Sequence, residues 1–360
     1  MFYNYFVSFF LSLVLAVVLI YLYRIAAKKV GLVDKPNARK IHTDLIPLVG
    51  GIGVFSAVVL TTTILDPKWV FIYDIRNMFL GASVMLIMGV LDDRFDLKAS
   101  LKLTIQLLLA HFVYYHGIAI DSLHGILGIY EIPVYVQHIL TLVVITGVVN
   151  AFNLMDGIDG LAAGLSIVSF TALTLLAFYV GNHDLAIIFI SFTGALAAFL
   201  WFNFNKSQKT FMGDAGSLVL GFILVSSSIL LLKASDTPEK VGVIFPSLIG
   251  IMILPVADSL RVYIRRLRSG LSPFHADRTH IHHLVLQLGL KHKKASLLLV
   301  VMVLLIVSIG IYSHTTLGVT ITMILLVRFF ILITNLLQLN SDINFWKTKI
   351  KQLESSEILK

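Results

Sequence analysis

The chemistry in this chain is carried by five short polar clusters set between long apolar runs. They are Asp34 to His42 (DKPNARKIH), Asp92 to Asp96 (DDRFD), Asn150 to Gly160 (NAFNLMDGIDG), Phe211 to Ser217 (FMGDAGS) and His275 to His283 (HADRTHIHH). In the middle three, Asp92, Asp93, Asp156, Asp159 and Asp214 all fall at or beside the end of an apolar segment. Carboxylates that converge repel one another unless a cation sits among them. Oxygen donors with no cysteine suit Mg²⁺ or Mn²⁺, and Mg²⁺ is usually held by one or two carboxylates plus phosphates. One Asp in such a place is a solvated loop cap, but five in three apolar-flanked motifs argue for a metal centre. Asp156-Gly-Ile-Asp-Gly and Met212-Gly-Asp-Ala-Gly-Ser each set Gly beside Asp just before an apolar helix. There, free amides and the positive dipole end can receive a phosphate; an ordinary N-cap explains either motif alone.

The last cluster is cationic. His275, His280, His282 and His283, four of the twelve histidines, share it with Arg278. The intervening Asp277 and Arg278 spoil tetrahedral zinc spacing, whereas Arg and protonated His suit a diphosphate. The run Arg261, Arg265, Arg266 and Arg268 just before it reads as contact with lipid headgroups. A carboxylate–metal centre, phosphate-receiving turns and a cationic clamp together describe phosphoryl transfer.

Composition indicates which elements must position these groups. The 360 residues are 58% hydrophobic and only 13% charged, too little charge to cover a soluble domain. Apolar runs long enough to cross the roughly 30 Å hydrocarbon layer, about 17–25 residues each, recur along the whole chain. Candidate spans are 4–26, 48–65, 77–91, 101–116, 135–149, 161–180, 185–203, 218–233, 241–260, 295–313 and 315–338. The third and fifth are short, and only Ser313, His314 and Thr315 part the last two, as in a helical hairpin. The expected fold is an all-α polytopic membrane protein of about 10–11 transmembrane helices. Met1 to Tyr23 lacks a basic n-region and a small-residue cleavage site, and reads as a retained first span. The absence of cysteine removes disulfides and thiolate catalysis.

The net charge of +8 is no sign of nucleic acid, because membrane proteins collect Lys and Arg in inward loops. With the N-terminus outside, the inward loops are 27–47, 92–100, 150–160, 204–217 and 261–294, plus the tail after 338. Counting Lys102 at a helix entrance, these hold twenty-two Lys and Arg; the outward loops hold four, Lys68, Arg76, Lys233 and Lys240. The bias predicts an N-out, C-in topology with all five clusters on the cytoplasmic face. The expected organisation is one transmembrane catalytic domain, 1–338, and a cytoplasmic C-terminal tail, 339–360. In the outward loop 117–134, the alternation of Ile126, Ile129, Ile132 and Val134 predicts a small hairpin.

The five motifs, in order across residues 34–283, resemble those of the polyprenyl-phosphate N-acetylhexosamine-1-phosphate transferases (the glycosyltransferase 4 family). Within that family they resemble most the bacterial undecaprenyl-phosphate GlcNAc-1-phosphate transferases. The resemblance implies a Mg²⁺-dependent enzyme of the bacterial cytoplasmic membrane with its site on the inner face. It implies transfer of GlcNAc-1-phosphate from UDP-GlcNAc to undecaprenyl phosphate with release of UMP, the opening membrane step of envelope polymers such as O-antigen, enterobacterial common antigen or teichoic acid. Membrane lipids are the remaining partners implied; nucleic acid is not, and a homodimer is left open.

By motif, the resemblance makes Asp214 the principal Mg²⁺ ligand, with Asn153 and Asp156 beside it. Asp159 would sit at the uracil, on which Phe211 would stack. Asp92 and Asp93 match the pair proposed to deprotonate or orient the acceptor phosphate, which Lys102 would hold. His275, Asp277, Arg278, His280, His282 and His283 match the nucleotide-sugar loop, with His280 among the catalytic residues. Asp34 to Gly51, including Lys40 and His42, matches the stretch framing the lipid entrance. The branch that transfers phospho-MurNAc-pentapeptide has consecutive histidines in the last loop; HADRTHIHH departs from it and favours UDP-GlcNAc, with other UDP-N-acetylhexosamines as alternatives.

Three rivals fit less well. An intramembrane prenyltransferase would use DDRFD but wants a second Asp-rich motif of similar form. A CDP-alcohol phosphotransferase would continue Asp156-Gly with Ala-Arg and further spaced aspartates. A transporter would carry ionisable groups in mid-span, where only Asp258 and Arg328 stand.

Overall fold

The computed structural model describes residues 2–34, 45–272 and 279–358. It is almost wholly helical, as a chain must be where lipid offers no partner for backbone N–H and C=O groups. In order the helices are α1 (Phe2–Val30), α2 (Gly50–Leu65), α3 (Tyr73–Phe95), α4 (Ala99–Tyr115), α5 (Val134–Met155) and α6 (Leu161–Val180). They continue as α7 (His183–Phe204), α8 (Gly213–Lys233), α9 (Pro238–Arg268), α10 (Ile281–Leu286) and α11 (His292–Ile358). Among the described residues, nine helical stretches are long and apolar enough to cross a membrane, and α2, at 16 residues, is a shorter apolar helix.

Every span expected from the sequence has its helix, but several ends move. The short third and fifth spans lengthen to 23 and 22 residues. Asp92 and Asp93, expected in a loop, occupy the last turn of α3; Asn150 and Asn153 are likewise helical in α5. Asp214, also expected in a loop, lies in the first turn of α8. The reason is that hydropathy reports where the apolar run stops, whereas hydrogen bonding carries a helix on past that point. The same holds for Arg261 to Arg268, which form the end of α9 rather than a loop. The last two spans lie within α11 and part at Gly318, whose φ of 73° interrupts the helix beyond the expected 313–315. The tail expected from 339 is helical through Ile358.

The hub is α8, the most deeply buried of the nine long apolar stretches. It packs against α3, α5 and α2 through the small residues Gly213, Ala215, Gly216, Ser217 and Gly221, the type that lets membrane helices approach closely. A Cβ on Gly89 of α3 would collide with the backbone of Ala215, so α3 and α8 meet backbone to backbone. That contact sets the Asp92–Asp93 pair against the start of α8.

Two small antiparallel ladders complete the fold. Strand β1 (Val33–Asp34) pairs with β2 (Ile46–Pro47). Just beyond β2, Leu48 bridges to Phe211, with Phe211 N–H donating to Pro47 O and Gly50 N–H to Phe211 O, both at 3.0 Å. The described part of the segment expected at the lipid entrance is thus the strand partner of the Phe-Met-Gly-Asp motif; Lys40 and His42 lie outside the described residues. The expected outward hairpin forms as β3 (Ser122–Ile126) and β4 (Ile129–Glu131). Its tip is tied to α11 by Leu127 N–H donating to Thr320 Oγ1 at 2.8 Å.

Candidate active site

One end of the bundle encloses a cavity of about 1320 Å³ walled by Asp92, Asp93, Asn153, Asp156, Asp159, Phe211 and Asp214, among others. Three separate motifs therefore converge.

On the α3–α4 side, Asp92 is buried. Its Oδ1 accepts from Leu97 N–H at 2.9 Å and its Oδ2 from Lys102 Nζ at 2.6 Å. The same Nζ lies 3.7 Å from Asp214 Oδ2, so Lys102 bridges a carboxylate of α3 and one of α8. Asp93 does something different. Its two oxygens accept from the N–H groups of Asp214 (2.9 Å) and Ala215 (3.2 Å), capping α8 from another helix. Met212, the N-cap residue of α8 itself, supplies no side-chain bond, and a carboxylate at a helix N-terminus gains from the dipole. Gly213 makes the arrangement fit: its φ is +73°, and a Cβ there would come within 2.5 Å of Asp93 Oδ2.

Asn153 Nδ2 donates to Asp214 Oδ1 at 3.0 Å and to Ser217 Oγ at 2.9 Å. A nitrogen spent on two donations cannot ligate a metal, so only Oδ1 of Asn153 can face a cation. Asp156 follows α5 and is exposed on the cavity floor. Its recess among helix ends, then the charges of Asp214 and Asp159, push its pKa upward. Cavity water tempers the shift, but the direction marks a site short of positive charge.

Asp159 is anchored instead. Its Oδ2 accepts from Lys209 Nζ at 2.7 Å and faces His292 Nδ1 at 3.3 Å, while Ser296 Oγ donates to its carbonyl at 2.8 Å. Burial alone would raise its pKa; the bonds from His292 and Lys209 outweigh that and hold it below the ordinary carboxylate value. Lys209 Nζ also lies 5.3 Å from the centre of the Phe211 ring.

The histidine cluster divides. His283 lines the cavity, whereas His280 and His282 are buried behind it. His282 packs on Gly157, where a Cβ would strike its ring, tying α10 to the Asp156–Asp159 turn. Desolvation, reinforced by neighbouring His283 and His280, lowers its pKa to about 3; His282 is therefore a neutral imidazole, not part of a cationic clamp. His280 Nδ1 sits 2.8 Å from Asp258 Oδ2. His275, Asp277 and Arg278 lie outside the described residues. The headgroup reading of the arginine run needs correction at two positions: Arg261 is paired with Asp258 at 2.7 Å, and Arg266 is buried. A helical i, i+3 partner and packing against the bundle draw them inward.

Several site residues escaped the sequence reading. Lys209 and His292 line the cavity; the first counted only as a topology charge, and the second stands outside every motif. Asn203 also lines it, donating from Nδ2 to Thr210 O at 3.0 Å. Only Asp258 left a signal, as an ionisable group three residues before Arg261.

The donor set fits a hard divalent cation. Asp214, Asp156 and Asn153 Oδ1 offer oxygen only. Among the described residues, no three or more His, Asp or Glu side chains converge to hold a metal by themselves. Mg²⁺ is commonly held by one or two carboxylates and leaves its other positions to water and phosphate.

Residues 75–232 match the family described as Glycosyl transferase family 4. The chain is 38% identical over 301 residues to the undecaprenyl-phosphate alpha-N-acetylglucosaminyl 1-phosphate transferase of Escherichia coli K12, covering 81% of this chain and 80% of the relative. It is 35% identical over 306 residues to the enzyme of that name from Salmonella typhi, covering 82% and 81%. It is 32% identical over 300 residues to a probable undecaprenyl-phosphate N-acetylglucosaminyl 1-phosphate transferase of Bacillus subtilis, covering 81% and 80%. The chain belongs to glycosyl transferase family 4, the family of the undecaprenyl-phosphate N-acetylglucosaminyl 1-phosphate transferases.

Proposed function

We propose that this enzyme transfers GlcNAc-1-phosphate from UDP-GlcNAc to undecaprenyl phosphate and releases UMP, using Mg²⁺ or Mn²⁺ at the cytoplasmic face of the bacterial inner membrane. The observation that carries the reading is Lys102 bridging Asp92 and Asp214, two carboxylates that line a cavity at one end of an apolar bundle. Such a site meets a water-soluble polyanion and a lipid phosphate at the depth where headgroups lie. The excess of Lys and Arg in the loops at this end supports a cytoplasmic orientation.

In the reaction, an oxygen of the lipid phosphate forms a bond to the sugar-proximal phosphorus. The bond from that phosphorus to the bridging oxygen breaks, and the electron pair leaves with UMP. A phosphate monoester, with a second pKa of about 6, is largely ionised at neutral pH, so no strong base is needed. That suits Asp93, whose oxygens already cap α8. Lys102 receives the acceptor phosphate, sharing the contact it makes with Asp92. Asp214, Asp156 and Asn153 Oδ1 would hold Mg²⁺, which when bound neutralises charge on the diphosphate oxygens. His283, Lys209 and His292 face the donor from the other wall, and the Phe211 ring offers the base a stacking surface.

The test is to incubate purified protein with undecaprenyl phosphate, Mg²⁺ and a panel of UDP-sugars. UMP should appear with UDP-GlcNAc, vanish with EDTA and return with Mg²⁺ or Mn²⁺. Asp214→Asn with wild-type turnover would refute the metal assignment. Uptake of substrate into proteoliposomes without UMP would favour a transporter. Because the chain has no cysteine, Ser207→Cys reports orientation directly: an impermeant maleimide should reach it only from the cytoplasmic side.

A further inference from the structure

Among the described residues, Asp258 is the one fully buried carboxylate that the mechanism above does not use. It sits in α9 with no exposed surface, in a segment apolar enough to cross the membrane. Ionisable groups in such places are costly and mark function unless they are fully partnered. Here the partners are specific. Oδ1 accepts from Arg261 Nη2 at 2.7 Å, and Oδ2 lies 2.8 Å from His280 Nδ1. Both oxygens accept from Ile281 N–H at 3.1 Å. Arg261 Nη2 reaches on to Thr279 O at 2.6 Å. One Asp–Arg pair thereby grips three successive residues, 279 to 281, at the point where the chain turns into α10.

What α10 carries explains the grip. His282 lies against Gly157, beside Asp156, and His283 forms part of the cavity wall. The imidazoles of His280 and His282 lie nearly parallel, with planes 4° apart and centroids 5.9 Å apart. An ionised carboxylate only accepts, so Nδ1 of His280 is the donor in that bond. A second feature points the same way. His280 Nε2 is buried with no partner among the described residues, so the Asp258 bond is what fixes the ring there.

We propose that Asp258, with Arg261, is a positioning residue for the donor half of the site. It acts through α10, holding His280, His282 and His283 in register with the Asp156–Gly157 turn, and touches no reacting atom itself. This rests on the transferase reading above. Partners of this kind, one shell behind the chemistry, typically change affinity or activity about 10- to 100-fold when removed.

The donor and acceptor sides are separate enough to give a distinctive kinetic result. Asp258→Asn should raise KM for UDP-GlcNAc about tenfold or more, with KM for undecaprenyl phosphate within about twofold, because Lys102 and Asp92 lie on α4 and α3. A merely structural role would lower the active fraction, reducing apparent kcat and leaving both KM values alone. Adding His283→Gln supplies the second reading. If Asp258 acts through α10, the double variant should be little worse in kcat/KM than the poorer single one; independent roles would multiply. Should Asp258→Asn fail to accumulate in the membrane, Arg261→Lys carries the same test, since it keeps the charge but loses the fork that reaches Thr279 O.

A donor-selective KM effect with non-multiplying losses supports the proposal. Loss of kcat at unchanged donor KM, or multiplying losses, overturns it while the transferase reading stands. A wild-type protein that releases no UMP from any UDP-sugar overturns both.

Discussion

Replacing Asp93 by Asn separates two roles that its sequence position cannot distinguish. As a general base, Asp93 would turn a lone pair to the acceptor. In the structure each of its oxygens is engaged by one of the first amides of α8, at 2.9 and 3.2 Å, which gives it a holding role whether or not it takes a proton. Asn keeps one acceptor but turns an NH₂ toward an N–H, losing one hydrogen bond to a charged group, about 1.5–3 kcal/mol. If that loss falls on the placement of Asp214, the turnover penalty is about 10- to 150-fold, at roughly 1.4 kcal/mol per factor of ten. The assay is UMP release across pH for wild type and Asp93→Asn, with thermal unfolding in detergent measured on the same samples. A cap predicts lower kcat, a lower Tm and an acidic limb of the pH–rate profile that keeps its shape. If instead turnover fell by more than about 10⁴-fold, beyond the usual contribution of a general base, while Tm and folding were untouched and the acidic limb vanished, the capping argument would be wrong.

Three further outcomes follow from the same geometry. Lys102→Met should raise KM for undecaprenyl phosphate about tenfold or more and lower Tm, since stranding a buried carboxylate such as Asp92 costs about 3–5 kcal/mol; an unchanged acceptor KM would remove Lys102 from the acceptor site. His282, with its pKa lowered by burial to about 3, resists a proton that the unfolded chain accepts near pH 6.5. Stability is therefore full above about pH 6.5 and declines as pH falls toward the folded value, by up to about 1.4 kcal/mol per unit; melting curves of His282→Gln against pH should lack that share of the slope. Gly89→Ala should lower Tm, because its Cβ would meet the Ala215 backbone and overpacking typically costs about 1–3 kcal/mol; an unaltered melt would mean that α3 and α8 can part without penalty.

The helices were legible because lipid imposes a crude rule, length of apolar run, that nine of the described helical stretches obey. Their ends were not legible for the same reason. Asp92, Asp93 and Asp214 stop the apolar run yet continue the hydrogen-bonded helix, so a hydropathy reading places them in loops. The site motifs were visible as clusters of Asp, Gly and His, but their division of labour was not. Asp93 as a cap depends on Gly89 letting α3 touch α8, and His292 reaches Asp159 across 133 positions of chain; neither leaves a local trace. Arg261 did leave one. Its i, i+3 spacing from Asp258 on a helix allows a pair, and counting it with the surface arginines passed over that geometry.

The first turn of α8 is where packing and chemistry cannot be separated. Asp93 binds its amides, Asn153 binds the Asp214 carboxylate, Lys102 stands 3.7 Å from it, and the strand through Phe211 delivers the chain to it. None of these contacts is strong alone, but they come from four different segments, so no single loop motion can displace Asp214 without breaking a bond elsewhere. A phosphoryl-transfer site has little covalent chemistry to perform and gains its rate from fixed charges. Holding one carboxylate from four directions at the end of a buried helix is a way to fix charge at the edge of a bilayer, where the surrounding lipid supplies no rigid partner.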